Sequence, residues 1–600
     1  MDRDGSIPFQ LNNNIDKYIM PKYKNNIKEE NINEERISFK LSLRKKKIRE
    51  KLNKSRKNFY FIQEDFKDNN IQTNNQDFEF NNIKKYLCSD EYILSGKLYD
   101  DLNNSSENKN ELTLRNILNG FGCFLNEKAK KKIDIKNILL NVDSSYNNKN
   151  NIKNVYFPLG HLLLKIGIET NDRIIYIYCF NFLLYFSSDD RFCKEIANEK
   201  NINDIFQKLI KFYPFIIENK KTGQIYKIFQ INNDIKPEVI EAYKYGNQTL
   251  KLLGNIFISS DSYYCFESTN FYEKIFYLLI VFDLDYEHRI NIKYRIDYLD
   301  TLIWLIFIIL RNVENIEINY KDKIFNLIPS LLNNINVLSS SEEFYIIEIL
   351  IDIIEFISDI NNDFCKKIVE SDGINLLTNM LNYLYNNYIN YEDESINDII
   401  DRILNTMINI FLLDSYYLKD IDFSKFIKTF ESLFNYFKVN HSQDNEIEKK
   451  LIHLLSVFAC FDDIREIIDN ILINKNIIYN LFQKYYEIDK SNTLLFIDNI
   501  MIKQKKEVKN LILDMGAFDI IKNNICNYTE NNLEIIKSSI SIIFKIFETE
   551  KGVNDKLFID KIYKTSIPDK IKELYNNNII SNDNIFKLLI DEFDKYENNI

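Results

Sequence analysis

The sequence predicts an all-α protein built as a stack of helical repeats behind a basic N-terminal arm. Three observations predict it. Glycine (12) and proline (7) together make up about 3% of the 600 residues, against roughly 12% in average proteins. Strand-and-turn folds use both at every corner, so their scarcity points to long helices joined by short polar turns. A helix end recurs at a near-constant step along the chain. The charge is divided: residues 36–57 hold eleven Lys or Arg and one acid, Glu50, in a chain whose net charge is −11.

The recurring helix end reads LLGNIFISSDS near Asn255, IFIILRNVEN near Ile308, IIEFISDINND near Phe356, TMINIFLLDS near Asn409, LLSVFACFDD near Ser456 and FIDNIMIKQK near Asn499. A further one, YCFNFLLYFSSDD near Leu184, stands before a polar insertion around 218–238. Armadillo and HEAT repeats run about 40–47 residues, so these steps of 43 to 53 fit either with modest loop insertions. After a helix end comes a polar turn, a short helix and a glycine: DFCKKIVESDGINLL carries Gly373 and EVKNLILDMGAFDII carries Gly516. Glycine takes the left-handed conformation that ends a helix, and both glycines are expected to do so. One helical hairpin cannot bury its own apolar face, so the repeats must stack into a solenoid with a long concave binding surface.

The arm, RISFKLSLRKKKIREKLNKSRKN from Arg36 to Asn58, places Leu41, Ile48 and Leu52 on one helical face among cations. Such a helix orders on an acidic partner rather than alone. Phosphates would attract this charge. A membrane surface would too, but the apolar face is thin and lacks Trp. The third partner is an acidic protein groove. The rest of the chain carries −21, which disfavours a nucleic-acid-binding solenoid.

These segments, taken in order, resemble the importin α family. Members open with an importin-β-binding arm, and here Lys22-Tyr23-Lys24-Asn25, Arg36, Leu41-Ser42-Leu43-Arg44-Lys45-Lys46-Lys47 and Lys54-Ser55-Arg56-Lys57-Asn58 follow that pattern. The departure is Asn33-Glu34-Glu35-Arg36, which keeps one base of an Arg run and adds two acids. The resemblance implies that Lys24, Arg36, Arg44, Lys45, Lys47, Arg49, Lys54, Arg56 and Lys57 bind importin β.

Importin α repeats carry W-x-x-x-N on the innermost helix, with the two side chains one turn apart on one face. The indole holds a cargo lysine stem, and the Asn amide pairs with the cargo backbone. Trp304, the only tryptophan, falls on that position, followed by Arg311 and Asn312, while Ile308 replaces the motif Asn. Asn255, Asn409 and Asn499 fall on the Asn position of other repeats; Phe180/Leu184 and Asp352/Phe356 replace the whole pair in two more. The implied cargo-signal-binding residues are Trp304, Asn255, Arg311, Asn312, Asn409 and Asn499. The C-terminal run from Asn554 to Tyr596 resembles the family's last repeat, which helps dock the export receptor.

The expected organisation is an importin-β-binding-like arm over 1–60, an Asn-rich, disordered linker over 61–110, and a right-handed superhelical armadillo-repeat solenoid over 111–600. The implied role is a shuttling nuclear import adaptor. Its partners are importin β, cargo with basic localisation signals and an export receptor, with no direct nucleic acid and no membrane. The alternative is a degenerate armadillo scaffold that binds importin β but not ordinary localisation signals.

Catalysis finds no support. His161, His288, His441 and His453 are scattered, the eight cysteines form no C-x-x-C pair, and no phosphate loop or nucleophile elbow occurs. No metal or cofactor is expected. The cysteines lie mostly in apolar helical runs, as reduced intracellular thiols do. The start, MDRDGSIPFQ, shows no apolar signal region. The longest apolar run, Leu302–Leu310, is too short to cross a bilayer and reads as a buried helix.

Overall fold

The computed structural model describes Tyr92 and residues 97–130, 158–187, 189–212, 216–218, 225–227 and most of 237–597. Longer breaks lie at 282–291, 414–427, 434–445 and 460–480, with shorter ones between helices. The basic arm, with Lys24, Arg36, Arg44, Lys45, Lys47, Arg49, Lys54, Arg56 and Lys57, lies outside the described residues.

Two compact units emerge. The first runs to Ala197 and includes Ser259–Asp261; the second holds Asn198–Ile258 and Ser262 onward.

In the first unit, helices α1 (Lys97–Glu107), α2 (Glu111–Lys130), α3 (Pro158–Glu169), α4 (Arg173–Phe186) and α5 (Asp190–Ile196) pack around an aromatic core. The Phe121 and Phe182 rings meet at 4.6 Å across α2 and α4. Asp172 caps α4, accepting from Ile174 N at 2.8 Å and Ile175 N at 3.2 Å, and pairs with Arg115 of α2. Helix α1 corrects the expected linker over 61–110. Leu98, Leu102 and Ser105 are buried, so the folded body begins before residue 111. The asparagines around them conceal a helical spacing of four and three.

The second unit is the repeat array. It opens with α6 (Glu199–Phe212), then the antiparallel hairpin β1 (Ile216–Glu218) and β2 (Ile225–Lys227), then α7 (Pro237–Ser259). The hairpin, on the expected polar insertion, is the only sheet among the described residues. Next come α8 (Tyr264–Glu267), α9 (Phe271–Val281) and α10 (Ile292–Asn312); α11 (Lys321–Leu338) and α12 (Phe344–Ile360); and α13 (Asn362–Glu370), α14 (Gly373–Tyr388) and α15 (Glu394–Phe411). Then follow α16 (Glu446–Phe458) and α17 (Lys490–Lys503). The end is formed by α18 (Lys506–Ile512), α19 (Phe518–Cys526), α20 (Leu533–Glu550), α21 (Leu557–Tyr563), α22 (Ile567–Asn576) and α23 (Asn584–Glu597). Where complete, a repeat is a short, a middle and a long helix, which is the armadillo pattern.

The long helices α10, α12, α15, α16, α17, α20 and α23 pack on one another in sequence, forming one ladder. Helix α12 shows why. Ile346, Ile347, Leu350, Ile351, Ile353, Ile354 and Ile357 are all inaccessible, too broad an apolar surface for one neighbour to cover. Each such side chain contributes roughly 1.5–3 kcal/mol on burial.

Backbone punctuation follows the repeats. Asn270, between α8 and α9, has φ 53°; Asp372, between α13 and α14, has φ 60°; Gly516, between α18 and α19, has φ 127°. Gly516 is left-handed as expected, but at the other glycine the structure differs: the positive φ belongs to Asp372. Gly373 opens α14 because a Cβ there would lie 2.7 Å from the Ile368 carbonyl oxygen. At the far end the Glu550 carboxylate, 2% exposed, accepts from Phe558 N at 3.2 Å and Ile559 N at 2.9 Å, capping α21.

Gly516→Ala is expected to lower stability by about 1 kcal/mol, the usual cost of a Cβ in left-handed backbone. Gly373→Ala is expected to cost more, because the Ile368 backbone must move. Urea unfolding of the full chain followed by circular dichroism checks both.

Candidate functional site

The candidate site is the solvent-reaching strip of the inner ladder. On α10 it consists of Asp297, Asp300 and Trp304; on α12, of Tyr345, Glu348, Asp352, Phe356 and Asp359. On α15 it carries Asp398, Asp401, Arg402, Asn405 and Asn409; on α16, Lys449, Lys450 and His453; on α17, Leu495 and Asp498. The spacings of three and four are those of one helix face. Helices α10 and α12 present carboxylates and aromatic rings, α15 presents carboxylates, amides and Arg402, and α16 is basic.

Trp304 is half-buried, and its ring packs against α7 at Gly254. A Cβ on Gly254 would fall 2.2 Å from the indole Cζ3 and 2.5 Å from Cη2. The glycine is therefore required for this close approach. Asn255, one residue on, is buried at 7% exposure. Helices α7 and α10 are also joined by Thr301 Oγ1 donating to Asn247 Oδ1, and by the Tyr243 and Tyr298 rings at 5.6 Å. Ile308, which replaces the motif Asn, is buried in the core.

The other residues implied by the resemblance are placed differently. Arg311 turns inward: its side chain is 6% exposed and stands between the Phe307 ring at 5.0 Å and the Phe356 ring at 4.6 Å. A terminal guanidinium nitrogen, Nη2, donates to Asp352 Oδ1 at 3.2 Å. Asn312 Nδ2 donates to its own helix at Ile308 O, 2.7 Å away. Asn409 Nδ2 donates to Ser358 Oγ at 3.1 Å, and Asn499 Nδ2 to Ser456 O at 2.8 Å. Those two amides tie each inner helix to the one before it. The six residues are thus spread along the array rather than gathered in one pocket.

Ion pairs cross seams as well, and their residues fall outside the Trp–Asn motif. Asp352 pairs with Arg402, Asp401 with Lys450 and Asp498 with Lys545. Each pair joins residues one repeat apart, so opposite charges at the repeat step were the available signal. Burial raises the Asp498 carboxyl, with Lys545 opposing, and the net shift is upward. Burial works against the Arg402 charge, but Asp352, Glu355 and Glu348 outweigh it and the guanidinium is held more firmly protonated. Burial lowers His453, with Asp489 partly opposing.

Among the described residues no cluster of His, Cys, Asp and Glu is arranged to hold a metal, and no helix is long and apolar enough to cross a membrane.

No protein-family profile and no curated relative matches this chain. Solved structures do. A designed armadillo repeat protein aligns at TM-score 0.33 and 17% identity, over 43% of this chain and 94% of its own. A designed armadillo repeat protein in complex with the peptide (KR)4 aligns at TM-score 0.33 and 16% identity, over 43% and 95%. UNC-45 from Drosophila melanogaster aligns at TM-score 0.29 and 10% identity, over 81% and 66%.

Gly254→Ala is expected to displace the Trp304 ring and red-shift the emission of this sole tryptophan, with lower thermal stability. The His453 shift gives a pH effect. Its folded pKa is depressed, so the unfolded chain takes up the proton first and stability falls as pH drops below about 6.5. His453→Gln is expected to flatten the unfolding profile between about pH 7 and pH 5.

Proposed function

We propose that the chain is a peptide-binding armadillo scaffold and, more specifically, a nuclear import adaptor of the importin α type. Its arm, residues 1–60, engages importin β, and its inner strip holds a basic, extended cargo signal. An export receptor returns it to the cytoplasm, so it shuttles through nuclear pores; it catalyses no reaction. The single observation that carries the reading is Trp304, presented on the strip and seated on Gly254, with Asp300 one turn and Asp297 two turns before it on the same helix. A half-exposed indole beside carboxylates suits a lysine or arginine stem with its charge.

A second reading has its own support. The side-chain amides of Asn312, Asn409 and Asn499 donate within the chain, and Asp352 stands where a second Trp would belong. A scaffold that binds importin β but not ordinary localisation signals fits these departures.

The adaptor reading expects an alternating Lys-Arg octapeptide to shift Trp304 emission and to lose affinity in Trp304→Ala. It also expects importin β to bind the full chain and not the chain lacking residues 1–60. Peptide binding indifferent to Trp304→Ala selects the scaffold reading. Importin β binding that survives removal of the arm overturns both.

A further inference from the structure

The seam between α12 and α15 is crossed by a guanidinium–carboxylate cluster, where the seam between α7 and α10 is filled by an indole. Asp352 occupies the strip position that Trp304 occupies one helix earlier. Its carboxylate receives two guanidiniums: Arg311 from α10 at 3.2 Å and Arg402 from α15. Arg402 also faces Glu348 Oε1 at 3.9 Å. Beside it Asn405 Nδ2 donates to Glu355 Oε1 at 2.8 Å, which orients that carboxylate at the same seam. The side chains are largely enclosed, at 21% exposure for Arg402, 16% for Asp352 and 14% for Glu348. Two carboxylates on one helix face, Glu348 and Asp352, thus face a guanidinium that enters from the next helix. The planar, forked guanidinium matches such a set, whereas a lysine supplies only a point charge.

We infer that this seam is a guanidinium-binding subsite of the strip, filled in the resting chain by its own Arg402. A ligand arginine enters only when Arg402 vacates it, so an extended ligand is held on α10 and α12 before the seam and on the helices beyond it. The guanidinium site stands on the geometry alone; its role toward a peptide rests on the function proposed above.

Two measurements on the full chain separate these parts. In the first, Arg402→Ala is melted with and without low-millimolar ethylguanidinium, with tetramethylammonium at equal ionic strength as the control. The expected result is a lowered melting temperature, raised again by ethylguanidinium in Arg402→Ala, unchanged by it in the unsubstituted chain, and no longer raised in Asp352→Asn/Arg402→Ala. If Arg402→Ala does not fold alone, soluble refolding yield with and without ethylguanidinium gives the same comparison. Equal response of the unsubstituted chain and the variant, or no response of either, overturns the subsite. In the second measurement, the Lys-Arg octapeptide is titrated calorimetrically into both proteins. Several-fold tighter binding to Arg402→Ala supports self-occupation, and unchanged or weaker binding overturns it. Ethylguanidinium recovery with no peptide binding to either protein removes the proposed function and leaves the guanidinium site standing.

Discussion

Everything in the array depends on the seam between one inner helix and the next. A single repeat exposes more apolar surface than its own helices cover. Ile346, Leu350, Ile351 and Ile354 are dry only because α10 and α15 lie on either side of α12. Stability is therefore shared between neighbours rather than held within a unit. Polar features argued above follow from that sharing: the Asn409 and Asn499 bonds, the ion pairs one repeat apart and the Trp304–Gly254 contact lie at seams. Burial of a charge or an amide is tolerable there because each seam provides a partner.

The fold was legible to the extent that it is periodic. The recurring helix end marks the inner helices correctly from Asn255 to Asn499, because a helix buried on several sides leaves a long apolar run ending in polar turn residues. What escaped was local. Helix α1 is carried by Leu98 and Leu102 inside an asparagine-rich stretch. The left-handed residue between α13 and α14 proved to be Asp372, because a short polar side chain tolerates that backbone, while Gly373 answers a steric demand from the Ile368 carbonyl.

The candidate site was less legible than the fold. Trp304 could be placed on a helix face from its register, yet its seat on Gly254 depends on a contact between residues 50 apart in sequence. Arg311, implied as a cargo-signal-binding residue, is enclosed by two rings and a carboxylate. A charged residue's partner decides whether it faces solvent or core, and that partner here lies one repeat away. Sequence order alone does not reveal it.

The cross-seam ion pairs also bear on how the chain carries load. Pulled from its two ends, a stack held by nearest-neighbour contacts parts one seam after another, so extension proceeds in discrete steps. Seams bolted by Asp352–Arg402, Asp401–Lys450 and Asp498–Lys545 resist longest, because separating each leaves an enclosed charge without its counterion. The array is in this sense a spring with unequal coils, stiffest where an enclosed ion pair crosses the seam.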